Sequence, residues 1–274
     1  MSEQPPDDPM RHLCQIMARL RDPEHGCPWD RKQTYGTIVP YTLEEAYEVA
    51  DAIQRGAMDE LRDELGDLLF QVVFYAQIAT EEGRFSFDDV ARGICDKMLR
   101  RHPHVFGDAA YGDDAQLREA WERAKAEERS QRRQDGSGDS RDSQMDGVAR
   151  ALPALIRAEK LQKRAARVGF DWPDASGAFA KTREEFVEIE AEWQSADPVR
   201  LQDELGDMLF AMVNVVRLLG MDAEQTLSQA NEKFERRFRS MEKALHEAGH
   251  DDLAELTLAQ MDDVWEQVKR KPVD

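Results

Sequence analysis

Apolar positions in this chain recur at three- and four-residue intervals, the period of one helix face rather than the two-residue alternation of a strand. Leu13, Ile16, Met17 and Leu20 predict an amphipathic helix over residues 10–21. A loop over 23–36 follows, carrying Cys27-Pro28-Trp29-Asp30. The pattern then predicts helices over 43–54, closed by Gly56, and over 59–82, closed by Gly83. Two more are expected over 88–101, ending at His102-Pro103, and over 115–129. The second half repeats the order, with helices over 153–168, 178–194, 198–219, 223–248 and 258–270, and Trp172 in the loop after the first of them. Asp197, Asp222 and Thr257 stand where N-caps are needed. With no strand alternation, the expected fold class is all-α, built from tandem duplicated helical-bundle domains.

The duplication is explicit in one motif. Asp203-Glu204-Leu205-Gly206-Asp207 has a near copy in Asp63-Glu64-Leu65-Gly66-Asp67. Helical spacing puts Glu204 and Asp207 on one face, and Glu185 and Glu188 precede them on the neighbouring predicted helix. Glu45, Glu48, Glu64 and Asp67 repeat all four acids at an offset of 140 residues. Lys97, Arg100 and Arg101 correspond likewise to Lys233, Arg236 and Arg237, and Trp121, Glu122 and Lys125 to Trp265, Glu266 and Lys269. The segment 130–147, rich in Ser, Gly, Asp and Arg, reads as a flexible linker. The domain plan is therefore a disordered tail over 1–9, a helical domain over 10–129, the linker over 130–147 and a second helical domain over 148–274.

Two helices joined by a short connection pack antiparallel, which brings the two acidic pairs of each domain together. Four carboxylates in one small volume repel and raise one another's pKa unless a cation neutralises them or they face open water. An all-oxygen set suits a hard ion such as Mg²⁺, which keeps positions open for water and substrate phosphates. Each acid also has a plainer reading. Thr182-Arg183-Glu184-Glu185 and Thr42-Leu43-Glu44-Glu45 match capping boxes, and charged helix faces are ordinarily solvated. Gly66 and Gly206, mid-helix between the acids, serve either close helix packing or room for a ligand. Lys233, Arg236 and Arg237 form surface ion pairs or hold a triphosphate, and Trp265 is either core or a stacking platform.

Composition narrows the field. The 274 residues suffice for two cores, and a net charge of -19 argues against nucleic acid or an anionic membrane as the main partner. The most apolar run, 68–79, is well short of the roughly 20 residues that span a bilayer. Three scattered cysteines, Cys14, Cys27 and Cys95, fit a reducing cytoplasmic setting. No signal peptide, P-loop or nucleophile elbow is legible.

Several of these stretches form a family pattern. Leu43-Glu44-Glu45-Ala46-Tyr47-Glu48, Glu64-Leu65-Gly66-Asp67-Leu68-Leu69-Phe70, Arg101-His102-Pro103-His104-Val105-Phe106, Val168-Gly169-Phe170-Asp171-Trp172 and the run from Asn231 to Phe238 closely resemble the two-domain MazG nucleoside triphosphate pyrophosphohydrolases. The resemblance covers nearly everything except the tail and linker. It implies the all-α pyrophosphohydrolase fold, homodimers, and Mg²⁺-dependent cleavage of nucleoside triphosphates into monophosphate and pyrophosphate, with Mn²⁺ as a substitute ion. It implies that Glu185, Glu188, Glu204 and Asp207 are the catalytic, metal-holding acids. It places Lys181, Glu184, Lys233, Arg236, Arg237 and Trp265 near the nucleotide, beside Glu185 and Asp207. Either Glu184 or Glu185 then orients the attacking water. Tyr41 occupies the position of Lys181 in the first copy, so the second domain is expected to be the main catalytic one. Two rivals share the pattern: a regulator that binds a nucleotide or alarmone without hydrolysing it, and a purely structural helical protein.

Overall fold

The structure is a computed structural model, and it describes residues 8–109, 112–113, 116–117, 120, 128, 143–195 and 197–270. Among the described residues there are ten α-helices, two short 3-10 turns and no strand. They fall into two compact units, residues up to 138 and residues from 139 onward. None of these helices is long and apolar enough to cross a membrane.

In the first unit, α1 (Pro9–Leu20) is capped by the Asp8 carboxylate, which accepts from the Met10 and Arg11 amides. Pro9, expected in the tail, is therefore the first residue of the helix, where its missing N–H costs nothing. α2 (Tyr35–Arg55) begins eight residues before its expected start. Thr34 and Thr37 cap each other's backbone amides and start the helix there, and Pro40 is accommodated within it. The Thr42 capping box is accordingly overturned: Thr42 lies mid-helix, and its hydroxyl bonds the Ile38 carbonyl and the Tyr75 hydroxyl. Gly56, at φ 69°, ends α2, and α3 (Met58–Glu81) turns straight back along it. α4 (Phe87–Arg101) and the short α5 (Pro103–Phe106) follow. The expected helix over 115–129, including Trp121 and Lys125, lies largely outside the described residues.

Met17 of α1, Ile38 of α2, and Val73, Phe74 and Ile78 of α3 form the core of this unit. Arg21 locks the loop after α1 onto it. Its guanidinium grips the Glu81 carboxylate with two nitrogens, at 2.9 and 2.7 Å, and donates to the Asp30 and Gln33 carbonyls. It also lies over the Phe74 ring, 5.3 Å from its centre.

In the second unit, residues 144–147, expected within the linker, form a turn, and Arg164 donates to the Gln144 carbonyl. α6 (Ala154–Ala166) leads through the Trp172 loop to α7 (Ala175–Ser195). α8 (Pro198–Leu218) then packs along α7 as α3 does along α2. Asp197 caps α8 through the Val199 and Arg200 amides, and Asp222 caps α9 (Ala223–Glu247) through Gln225, both as expected. α10 (Leu258–Arg270) opens on Thr257, which exchanges bonds with Gln260. α6 packs on α8 and α9, and α9 on α10.

Candidate active site

The α7–α8 hairpin carries Lys181, Glu184, Glu185 and Glu188 on one helix and Glu204 and Asp207 on the other. Oxygens of Glu185, Glu188 and Glu204 all lie within 4.8 Å of one another. Asp207 is close enough to disfavour ionisation of Glu204, whose carboxyl is pushed up by partial burial first and then by the charges of Glu188, Glu185 and Asp207. The spacing argument for convergence is thus realised in three dimensions.

Glu185 is the most enclosed of these acids, 3% exposed. Its Oε1 meets the Lys181 ammonium at 2.7 Å, and Lys181 also reaches Glu184 at 2.7 Å. Those two bonds hold the lysine well above the ordinary ammonium range. Glu185 Oε2 is buried without a hydrogen-bond partner. A buried acceptor left without a donor costs about 1–3 kcal/mol, a penalty that a cation or donor reaching this oxygen would relieve. A divalent cation fits both that atom and the all-oxygen set around it. The helix-cap reading of Glu185 fails, because Thr182 is mid-helix and bonds the Ala178 carbonyl. Gly206 and Gly66 have no heavy atom within 4 Å of an added Cβ, apart from their chain neighbours and their own helix backbone. Close packing within the chain therefore does not account for either glycine, and the space between the acids is open.

The first unit repeats the cluster without the cation. Glu45, Glu48 and Glu64 converge within the same 4.8 Å. Burial, then the charges of Asp67 and Glu48 with a hydrogen bond to Glu48, push the Glu45 carboxyl up, and Glu64 is raised similarly. Tyr41, in the place of Lys181, instead meets Trp29 edge to face, ring centres 5.7 Å apart.

A cavity of about 660 Å³ opens beside the second cluster. Lys181, Glu185 and Asp207 stand in its wall, with Phe170, Trp172 and Phe210 supplying aromatic surface and Gln162, Asn214 and Arg217 polar groups. Lys233, Arg236, Arg237 and Trp265 do not line it. They sit on the α9–α10 pair, where Arg236 pairs with Glu232 at 3.8 Å and Trp265 packs on Phe234 at 5.4 Å. Lys181 thus stands with Glu184, Glu185 and Asp207 on the hairpin, and Lys233, Arg236, Arg237 and Trp265 are not part of this cavity's wall.

The structure also leaves apolar surface on this hairpin. Leu205, Leu209 and Met212 follow one stripe of α8, and Leu209 is 62% exposed. Phe186 and Trp193 are exposed on α7. The helical period was correctly read, but part of the stripe does not turn into this chain's core.

Comparison with known proteins agrees with this geometry. The family model described as the MazG nucleotide pyrophosphohydrolase domain matches residues 33–106 and 176–241, the two acidic hairpins. The chain is 52% identical over 264 residues to a nucleoside triphosphate pyrophosphohydrolase of Escherichia coli (strain K12), spanning 96% of this chain and 97% of that one. It is 42% identical over 257 residues to the nucleoside triphosphate pyrophosphohydrolase/pyrophosphatase MazG of Thermotoga maritima, spanning 94% of each. A nucleoside triphosphate pyrophosphohydrolase of Mycolicibacterium smegmatis is 37% identical over 167 residues, 60% of this chain and 49% of that protein.

Proposed function

Because the chain belongs to the MazG nucleotide pyrophosphohydrolase family, we propose that it hydrolyses nucleoside triphosphates to monophosphates and pyrophosphate at the α7–α8 hairpin of its second unit. The observation that carries this reading is the Glu185, Glu188 and Glu204 cluster, with its orphaned Glu185 oxygen, at the wall of a cavity large enough for a small ligand.

Glu185, Glu188, Glu204 and Asp207 would hold Mg²⁺, or Mn²⁺ in its place. When bound, the metal supplies charge neutralisation for the phosphate oxygens and a lowered pKa for nearby water. Lys181 pairs with both Glu184 and Glu185 and is placed to turn to a phosphate oxygen when substrate enters. Glu184, more than half exposed and released by that turn, is free to orient the water that attacks the α-phosphorus as pyrophosphate leaves. For Lys233, Arg236, Arg237 and Trp265 a nucleotide role rests on the family likeness alone.

The exposed apolar stripe supports a homodimer in which the α7–α8 hairpin finds a second hairpin, since such a face is unstable in water. Three free cysteines accord with a reducing, cytoplasmic setting. The test is product analysis of adenosine triphosphate incubated with the full chain. Mg²⁺-dependent formation of monophosphate and pyrophosphate, abolished by chelation, is expected. Diphosphate and inorganic phosphate as products, or no turnover with any nucleoside triphosphate, would refute the reading.

A further inference from the structure

Away from the acidic hairpins, the end of α4 in the first unit gathers three cations. Lys97, Arg100 and Arg101 stand at i, i+3 and i+4, so they share one face of the last turns of the helix. All three act on a single carboxylate, that of Glu128. Arg101 grips it with two nitrogens, Nε donating to Oε1 at 3.1 Å and Nη2 to Oε2 at 2.5 Å. Arg100 Nη2 adds an ion-pair contact to Oε1 at 3.8 Å. The Arg101 hydrogen bonds first, and then the charges of Arg101, Arg100 and Lys97, hold the Glu128 carboxyl below its ordinary range against the opposing effect of burial.

The Arg101 and Glu128 side chains are only 18% and 20% exposed, so their bond is sheltered from the screening that weakens surface pairs. Arg100 is open to solvent, and among the described residues neither it nor Lys97 has another acid as an ion-pair partner. One carboxylate therefore meets three cations, a balance better matched by an anion of higher charge. The two-oxygen fork on Arg101 is also the geometry in which a guanidinium receives a phosphate group.

The second unit keeps the cations and lacks this carboxylate. Arg237, the counterpart of Arg101, has its Nε buried with no hydrogen-bond partner among the described residues. At the 144-residue offset that relates Trp121 to Trp265, Glu128 falls on Pro272, which lies outside the described residues and carries no charge on its side chain. The same nitrogen is satisfied by the chain's own carboxylate in one copy and unsatisfied in the other.

We propose that Lys97, Arg100 and Arg101 form a latent phosphate-chain site in the first unit, and that the Glu128 carboxylate occupies it as a built-in competitor. An anion with two or more phosphoryl groups brings enough charge to engage all three cations, and its entry displaces Glu128 toward solvent. The wild-type site binds such an anion weakly, because its apparent affinity is reduced by the fraction of molecules in which Glu128 is disengaged. This contact closes the first unit independently of the exchange of Lys181 for Tyr41, and it does not depend on hydrolysis at the second unit.

The test counts anion sites on the full chain by calorimetry, without divalent metal, using methylenediphosphonate, a pyrophosphate analogue that is not hydrolysed. Glu128→Gln removes the competing charge and should bind one more diphosphonate per chain than the wild type, with first-unit affinity raised about tenfold or more, the effect of one charge-assisted bond. Adding Arg101→Gln to that variant should abolish the gain, which assigns it to the first unit whatever the second unit binds. Circular dichroism confirms that the helices persist. Glu128→Asp keeps the charge but withdraws it by one methylene; it should bind with intermediate affinity and carries the test if Glu128→Gln does not fold. The methylene analogue of adenosine diphosphate separates a nucleotide from a free phosphate chain: both ligands should bind, and binding of the nucleotide alone would overturn a site built on phosphate charge. Wild-type stoichiometry and affinity in a folded Glu128→Gln, or in Glu128→Asp where that is the folded variant, would reduce the pair to a structural tie and overturn the proposal. A gain that survives Arg101→Gln would overturn it as well.

Discussion

Gly177 offers a sharp test of the packing under the Trp172 loop, because a single contact decides the sign of a substitution there. Gly177 is the third residue of α7 and does not need a glycine for backbone reasons, so Gly→Ala there would gain at most about 1 kcal/mol, the value of a mid-helix exchange. Here the new methyl would meet the Trp172 ring at 2.5 Å, well inside van der Waals contact, and the ring must leave. Trp172 is 46% exposed, so somewhat over half of its surface is at stake. Burying about 100–130 Å² at about 25 cal/mol per Å² is worth about 3 kcal/mol as an upper bound. Loss of packing outweighs helix propensity, and Gly177→Ala should destabilise the second unit by about 1–2 kcal/mol while the fold persists, because only a side chain has moved. Urea unfolding followed by circular dichroism reads the change. A variant as stable as the wild type, or more so, would refute the reasoning.

Two other expectations concern the scaffold. Arg21 holds the Glu81 carboxyl below its ordinary value of 4.5, so this pair stabilises the first unit fully above that pH and loses its contribution as pH falls through the depressed folded value. Glu81→Gln should lower stability at pH 7 by about 1 kcal/mol, allowing for solvent screening at a carboxylate one-third exposed, and the gap to wild type should close in acid; a gap that widens there would reverse the assignment. Leu209→Asp puts a charge in the exposed α8 stripe and should convert a dimer to a monomer in sedimentation equilibrium, whereas an unaltered dimer would place the interface elsewhere.

Much of this arrangement is legible in residue order. Helical period and end signals located the hairpins, since a stripe repeated over five turns has one geometric solution, and the doubled acids marked where carboxylates converge. Boundaries were lost where two signals competed. Gly36 fell at the end of the expected loop, while the Thr34–Thr37 cap that overrides it is a weaker pattern in sequence. The Thr42 and Thr182 caps failed for the opposite reason: a mid-helix threonine can bond the carbonyl four residues back, which leaves no trace in spacing. The cavity was missed because Gln162 and Asn214 are ordinary helix residues individually. The usable signal was Phe74 against Asn214 at the offset already established by the acids, a core aromatic exchanged for an amide. Lys233, Arg236, Arg237 and Trp265 could not be placed from periodicity, which fixes a helix face but not what that face meets.

The central claim is that carboxylates of the second unit, aided by Lys181, perform the hydrolysis while the equivalent set of the first does not dominate it. The most direct measurement is Mg²⁺-dependent pyrophosphate release from adenosine triphosphate by full-length Glu185→Gln and Glu45→Gln, the same position in the two clusters. Glu185→Gln should fall to background with its helices intact, and Glu45→Gln should keep most of the wild-type rate. Retained turnover in Glu185→Gln, or loss confined to Glu45→Gln, would contradict the account.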